Sequence, residues 1–383
     1  MSDITRDFSW LPSHQEHVVY TLAHVDSVIG RLSDVLYEFQ QRGVFEFASR
    51  YDAGHSYAFI ARVQPLPAVI PRLFADAATQ LRAAVEHSLF AQVEFELGQT
   101  LDAAGLNARR VEMPAFTDPE LFTAWLKDGA RKKIGPLQEG EELVSRIRQL
   151  QPFWHIAPDT HPMKLIAEHT KHSKHRAPAI AVTRVGPVIP DSDAVGLELA
   201  KPRSGGSPAR VGDLLARGPR GLIVPIGVYP DISVERPHTK GWNILAHELN
   251  NMFEWVRTEA LPILIAGSPT ADPFPPRIDI TIGYDTVTQA LESGERSSSF
   301  ERNGIRLQAH TGRDDLAGLI SDHEHTLPRA HADQWVSGLS DQEVVDALTL
   351  LGESTRDVST MLEVLNDMVE RATASVDNQT KAQ

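Results

Sequence analysis

Two side chains suited to chemistry at a phosphate group, Arg82 and His87, lie five residues apart in one predicted helix. A histidine can accept or donate a proton near neutral pH, and an arginine can hold a phosphate and stabilise its developing charge. The pair therefore predicts a catalytic site. A structural alternative stays open, in which Arg82 pairs with Glu86 one turn along the helix surface and His87 is a surface or packing residue.

A second candidate is the most basic short segment of the chain. It contains four basic residues, Lys171, Lys174, His175 and Arg176. Side chains of this kind can contact RNA phosphates. Two alternatives remain: a solvated helix end whose cations favour the helix dipole, or zinc or nickel binding by His169, His172 and His175, which are spaced by three. Because no complete ligand set stands at metal spacing, we expect no metal and no other cofactor.

The segment His247-Glu248-Leu249-Asn250-Asn251 is close to the H-E-x-x-H zinc motif. Asn251 stands where the second histidine would be, so one ligand is missing and metalloprotease chemistry is not expected. The sequence also lacks a phosphate-binding glycine loop, a nucleophile elbow and a dinucleotide fingerprint. These absences leave the Arg–His pair as the main candidate for chemistry.

The segment around that pair resembles part of a bacterial protein family of uncharacterised function. The resemblance rests on short stretches between residues 73 and 176: LRAAVEHSL at 81–89, PAFTDPELF at 114–122, LQPF at 150–153, HP at 161–162 and KHR at 174–176. The spacing of Arg82 and His87 is also similar to the motif of HEPN ribonucleases, although Ala83 replaces the polar residue that usually follows the arginine. An ideal helix separates the two side chains by about 140°.

The resemblance to HEPN proteins implies a helical bundle that binds RNA or cleaves it without a metal. His87 would act as general base on a ribose 2′-hydroxyl group, and Arg82 would hold the scissile phosphate. The basic segment would position the RNA backbone, and cleavage would leave a 2′,3′-cyclic phosphate. Such sites are completed by dimerisation, so the resemblance implies RNA and a second copy of the chain as partners.

Hydrophobic periodicity indicates which elements must position these residues. Apolar residues at helical spacing predict long helices over residues 14–42 and 73–97. Alternating runs at 44–48 and 57–61, with Asp52-Ala53-Gly54 between them, predict a β-hairpin. Shorter helices are predicted from Pro119, at 141–150 and at 162–172. The Arg–His pair and the basic segment therefore lie on two different helices of one predicted bundle.

The second half of the chain has a different pattern. Runs rich in valine and isoleucine predict strands at residues 179–183, 194–199, 221–228 and 277–282. Helices are predicted at 241–266 and, as one long C-terminal helix, at 341–374, and residues 286–331 are poorly patterned. The whole is an α+β protein: a helical bundle with an inserted hairpin over residues 1–178, followed by a mixed β/helical region over 179–383.

Composition limits the function classes. The 383-residue chain contains no cysteine, which excludes disulfides, thiolate zinc sites and thiol nucleophiles. Its net charge of −14 gives no general attraction to nucleic acid or anionic lipid. The longest apolar stretch is too short to span a bilayer, so we expect a cytoplasmic protein without a membrane partner. The acidic charge favours the alternative function, a non-enzymatic helical scaffold or interaction protein.

Overall fold

A computed structural model describes residues 6–175, 179–200, 206–323, 327–355 and 357–381 of the chain. The helices are α1 (His17–Gln41), α2 (Val69–Leu97), α3 (Pro119–Leu126), α4 (Glu142–Gln149), α5 (Pro162–His175), α6 (Leu245–Trp255), α7 (Leu261–Ala266), α8 (Val287–Glu292), α9 (Ser299–Asp322), α10 (Arg329–Gly338), α11 (Asp341–Ser354) and α12 (Val358–Lys381). The strands are β1 (Phe45–Asp52), β2 (His55–Val63), β3 (Ala181–Pro190), β4 (Glu198–Leu199), β5 (Leu214–Pro219), β6 (Ile226–Glu235) and β7 (Trp242–Ile244). Helices and small antiparallel sheets together confirm the predicted α+β class.

The strands form two antiparallel sheets, with the orders β1-β2-β5-β4 and β3-β6-β7. The predicted hairpin is confirmed as β1 and β2, which pair down to Asp52 and His55. Its two-residue turn places Ala53 at φ 45° and Gly54 at φ 80°. Two successive left-handed residues make the turn whose twist matches paired strands, and glycine adopts this conformation without a Cβ clash.

The chain divides into two compact units, residues 1–299 and 300–383. This division differs from the predicted boundary at residue 178. The reason is long-range pairing: β5 from the second half of the chain pairs with β2 of the N-terminal hairpin, and α6 and α7 pack against α2. The hairpin obtains its third strand from a segment more than 150 residues later in the chain. Residues 179–299 therefore belong to the same unit as the N-terminal helices.

The first unit is built around α2. Its buried face includes Leu81, Val85 and Leu89, all of which are fully buried, and α1, α5, α6 and α7 pack against it. The helix predicted at 241–266 is interrupted by a π-helical stretch, Val256–Ala260, between α6 and α7. Pro262 follows directly in α7. A proline lacks the backbone N–H group and clashes with the preceding turn, so a local widening of the helix is expected there.

Replacing Leu81 with alanine is expected to lower the free energy of unfolding by about 2–5 kcal/mol, because the side chain is fully buried and leaves a cavity. Urea denaturation measures this change. The matched control is Leu121→Ala in α3, where the leucine is half-exposed and a change within about 0.5 kcal/mol is expected. Equal losses at the two positions would contradict the packing described for α2.

The second unit is helical, and one sequence prediction at the C-terminal end of the chain is wrong. The poorly patterned region 286–331 contains α8, α9 and α10, and the single helix predicted at 341–374 is two helices, α11 and α12. The buried residues of α9 include Ala309, Leu316, Ala317 and Ile320. Two of these are alanines, which are only weakly hydrophobic, and charged residues surround them in the sequence. The hydrophobic periodicity of this segment is therefore weak. A new helix begins after Asp357, whose side chain accepts a hydrogen bond from the Ser359 N–H at 3.0 Å.

Two other predicted strands are also placed differently. Residues 277–282 contribute one isolated bridge, between Arg277 and Glu295, and the run at 194–199 forms a strand only at Glu198–Leu199. Both segments have strand-forming composition, but a strand needs a partner of matching length. Within the described residues, no helix is both long enough and apolar enough to cross a bilayer.

Candidate functional site

A groove on the first unit runs between α2, α5 and the segment at residues 111–112. It has a volume of about 600 Å³. Its lining residues are Thr79, Arg82, Ala83, Glu86, His87, Val111, Glu112, Ala167, Thr170, Lys171, Lys174 and His175. The groove thus combines residues from two helices that are separated by more than 60 positions in the chain.

The structure brings together most of the residues that the sequence singled out. Arg82 and His87 of α2 and Lys171, Lys174 and His175 of α5 all line this groove. Arg176, the last residue of the predicted basic segment, lies outside the described residues. Both α2 residues reach the same groove although an ideal helix separates them by about 140°. The Arg82 side chain extends toward the backbone of Met113, whereas His87 is exposed.

Arg82 is held firmly by the protein. Its guanidinium forms an ion pair with Glu86 and donates a hydrogen bond to the Met113 carbonyl oxygen. Glu86 in turn accepts a hydrogen bond from the Met113 N–H at 2.9 Å. The side chains of Arg82 and Glu86 are only 16% and 25% exposed. The pairing of Arg82 with Glu86 that the structural alternative predicted is therefore present, but it lies at the wall of a groove, where it fixes the chain around Met113 to α2.

The environment of this pair is poorly hydrated. Burial raises the pKa of Glu86, and the positive charge of Arg82 and the hydrogen bond from Met113 oppose that rise only in part. The Arg82 Nη1 atom is buried and has no hydrogen-bond partner in the part of the chain that the structure describes. A buried donor without a partner is costly, so the position of Arg82 must be stabilised by its ion pair with Glu86 and its hydrogen bond to Met113.

A second arginine secures the outer wall of the groove. Arg131 is buried and donates hydrogen bonds to the carbonyl oxygens of Arg110, at 3.1 Å, and Trp125, at 2.6 Å. Its guanidinium also lies 3.4 Å from a carboxylate oxygen of Glu112. The segment that carries Glu112 is therefore anchored at both ends, by Arg131 and by Arg82, and the groove has a defined shape.

The basic side of the groove comes from the last turns of α5. Lys171, Lys174 and His175 are exposed, and the lysines carry charge that complements the C-terminal end of the helix dipole. Opposite them, Glu86 and Glu112 contribute carboxyl groups. The groove thus has a basic side, formed by α5, and an opposite side that carries carboxyl groups, on a chain whose net charge is −14.

A histidine that the sequence analysis did not single out lies beside His87. The ring of His17, at the start of α1, has its centroid 6.2 Å from that of His87. Burial lowers the pKa of His17, and the positive charge of His87 lowers it further. No local motif links residues 17 and 87, so this contact follows only from the packing of α1 on α2.

The predicted metal alternative is not supported by the geometry. His169 is buried on the inner side of α5, where it lies 3.4 Å from Glu248 of α6. It therefore faces away from exposed His175, and the spacing by three does not produce a common site. Among the described residues, no group of three or more potential ligands is placed to hold a metal ion.

Glu248, from the incomplete zinc motif, has a structural role instead. Its carboxylate is almost fully buried and accepts two hydrogen bonds from Arg236, at 2.9 and 2.7 Å, in addition to its contact with His169. Burial alone would raise the pKa of Glu248, but the hydrogen bonds from His169 and Arg236 outweigh it and the pKa lies below its usual value. This network connects α5, α6 and the chain after β6, so it supports the helix that carries the lysines of the groove.

Comparisons with known proteins found no match among protein-family models, curated proteins or solved structures.

Proposed function

We propose that the groove between α2 and α5 binds RNA through its backbone phosphates and supports metal-independent, HEPN-like cleavage. The observation that carries this proposal is the presence of His87, Lys171, Lys174 and His175 in one groove. Lysines bind phosphates as compact charges, and an exposed imidazole next to them can transfer a proton to or from an oxygen of the bound strand. A cytoplasmic location, as expected from the sequence, fits such a substrate.

The residues of the groove have different roles in the proposed reaction. Lys171 and Lys174 bind phosphate groups of the strand, and His87 transfers a proton during cleavage. Arg82 was expected to hold the scissile phosphate, but its guanidinium is already bound to Glu86 and Met113. Its contribution is therefore mainly to shape the groove. The attacking group is the ribose 2′-hydroxyl, and the products are a 2′,3′-cyclic phosphate and a 5′-hydroxyl end.

The direct test is incubation of the purified protein with single-stranded RNA in excess EDTA. Cleavage that persists in EDTA and leaves 2′,3′-cyclic phosphate ends is the expected result. A matched all-deoxy strand, which lacks the attacking hydroxyl group, should remain intact. Intact RNA at every protein concentration, or cleavage only after addition of a divalent metal, would contradict the proposal.

Replacing both Lys171 and Lys174 with alanine is expected to weaken RNA binding and to reduce its dependence on salt. For single strands, the slope of log K against log salt concentration changes by about 0.7 for each phosphate contact, so loss of two contacts should reduce it by about 1.4. Fluorescence anisotropy with labelled RNA at several salt concentrations measures both quantities. The control is the double variant Lys132→Ala/Lys133→Ala, which removes two exposed lysines outside the groove. An equal change in this control would contradict a specific role for α5.

The second candidate function is a non-enzymatic scaffold or interaction protein. It is supported by the ion pair between Arg82 and Glu86, which gives the arginine a structural role, and by the net charge of −14. In that case the α5 lysines have no effect on RNA and the EDTA assay shows no product. The two assays together therefore separate an RNA-cleaving protein, an RNA-binding protein and a scaffold.

A further inference from the structure

Two hydrogen bonds hold the chain just before α1 against α2, next to the groove. The fully buried Gln15 donates from its side-chain amide to the carbonyl oxygen of Ser88 at 3.0 Å. One turn further along α2, the His14 ring donates to the side-chain oxygen of Gln92 at 3.1 Å. Because Ser88 directly follows His87, these contacts fix the position of His17 relative to His87.

The two imidazoles are close and accessible. Their centroids are 6.2 Å apart with the ring planes inclined by 54°, and both residues are exposed at the surface. His87 lines the groove together with Arg82 and Glu86 of α2, Glu112, and Lys171, Lys174 and His175 of α5. His17 is not a lining residue but lies next to the His87 ring, and the titratable groups that act on it are His87 and His14 of the chain preceding α1. Two adjacent imidazoles can carry one proton between them over a range of pH.

Cleavage of RNA by its own 2′-hydroxyl group needs two proton transfers. The hydroxyl must lose a proton as it attacks phosphorus, and the departing 5′-oxygen must gain one. A single histidine serves both steps poorly, because it must be neutral for the first and protonated for the second. The sequence analysis assigned only His87 to proton transfer and placed His175 among the residues that bind the RNA backbone.

We propose that His17 and His87 form the acid–base pair of this reaction, with His17 as the base and His87 as the acid. The proposal rests on the nuclease function proposed above. The bond between the 2′-oxygen and phosphorus forms, and the bond between phosphorus and the 5′-oxygen breaks. The hydroxyl proton passes to His17, and a proton from His87 passes to the 5′-oxygen. Water then exchanges the protons between the two imidazoles.

The direction of transfer follows from the environment of His17. Burial and the nearby His87 lower the pKa of His17, which favours the neutral imidazole that can accept a proton. This assignment reverses the role of general base that the sequence predicted for His87. As pH falls, His17 becomes protonated and the rate should decline, which gives the acidic limb of a bell-shaped profile.

The test compares two substrates that differ at the leaving group. One is a short single-stranded RNA, and the other carries sulfur instead of the bridging 5′-oxygen at a position that the wild-type protein cleaves. A thiolate leaves without protonation, so the acid becomes dispensable. We expect His87→Ala to be slowed about 100-fold or more on the oxygen substrate and to approach the wild-type rate on the sulfur substrate. His17→Ala and His17→Gln should be slowed on both and should lose the acidic limb of the pH profile.

His24→Ala serves as the control, because His24 is another exposed histidine on α1 two turns further along the helix. It should match the wild-type protein on both substrates, and urea denaturation checks that each variant is folded. Wild-type activity in His17→Ala, or rescue of His17→Ala by sulfur, would overturn the assignment and leave the nuclease function standing. A wild-type protein that cleaves neither substrate would overturn the nuclease function and this pair together.

Discussion

Replacing His87 with alanine is expected to slow RNA cleavage about 100-fold or more, since a positioned proton-transfer group contributes about 10²–10⁴ to the rate of such reactions. The loss should appear in the cleavage step under single-turnover conditions with the protein in excess over RNA. Binding of RNA should remain close to that of the wild-type protein, because the lysines of α5 are unchanged.

The free energy of unfolding of the His87→Ala variant shows whether a loss of cleavage comes from unfolding or from the missing imidazole. His87 is exposed, so its replacement should change the free energy of unfolding by no more than about 0.5 kcal/mol. Loss of cleavage with unchanged unfolding assigns the effect to chemistry. A variant that cleaves at the wild-type rate would remove His87 from the mechanism, and one that unfolds readily would show that the side chain is structural.

The largest stability effect is expected at Glu248. Replacing Glu248 with alanine removes the carboxylate that binds Arg236 and His169. These groups lie in the protein interior, where the His169 and Glu248 side chains are only 1% and 2% exposed. Removing one partner of a buried ion pair costs about 3–5 kcal/mol. Urea denaturation of Glu248→Ala measures this change. Glu38→Gln is the matched control: Glu38 also pairs with an arginine, Arg42, but both side chains are mostly exposed and little change is expected.

The contribution of Glu248 to the free energy of unfolding should also depend on pH. Its pKa in the folded protein is lowered, so the carboxylate contributes stability above its unfolded pKa, which is about 4.3. That contribution is lost as the pH falls through the lower, folded pKa. The difference in stability between the wild-type protein and Glu248→Gln should therefore be constant near neutrality and should narrow in acid. If the difference in stability instead increased as the pH fell, the result would contradict a lowered pKa of Glu248 in the folded protein.

Several elements could be predicted from the sequence because they depend on local patterns. The apolar stripes of α1 and α2, the start of α3 at Asp118-Pro119 and the turn at Ala53-Gly54 each need only neighbouring residues for their recognition. Elements with mixed or weak local signals were less predictable. α9 was missed because its buried positions include small alanines, and β5 because its six residues become a strand only by pairing with β2.

The sequence by itself determined the chemical groups of the candidate site: Arg82 and His87 on one helix and the lysines at the end of another. Only the tertiary structure decided how these groups combine. Packing of α5 against α2 places Lys171 and Lys174 in the groove with His87, and Arg82 is paired there with Glu86 and the Met113 carbonyl oxygen. The meeting of His17 with His87 depends on the register of α1 against α2. That register is set by buried contacts such as Gln15 with Ser88, and long-range packing of this kind leaves no signal in the spacing of residues along the chain.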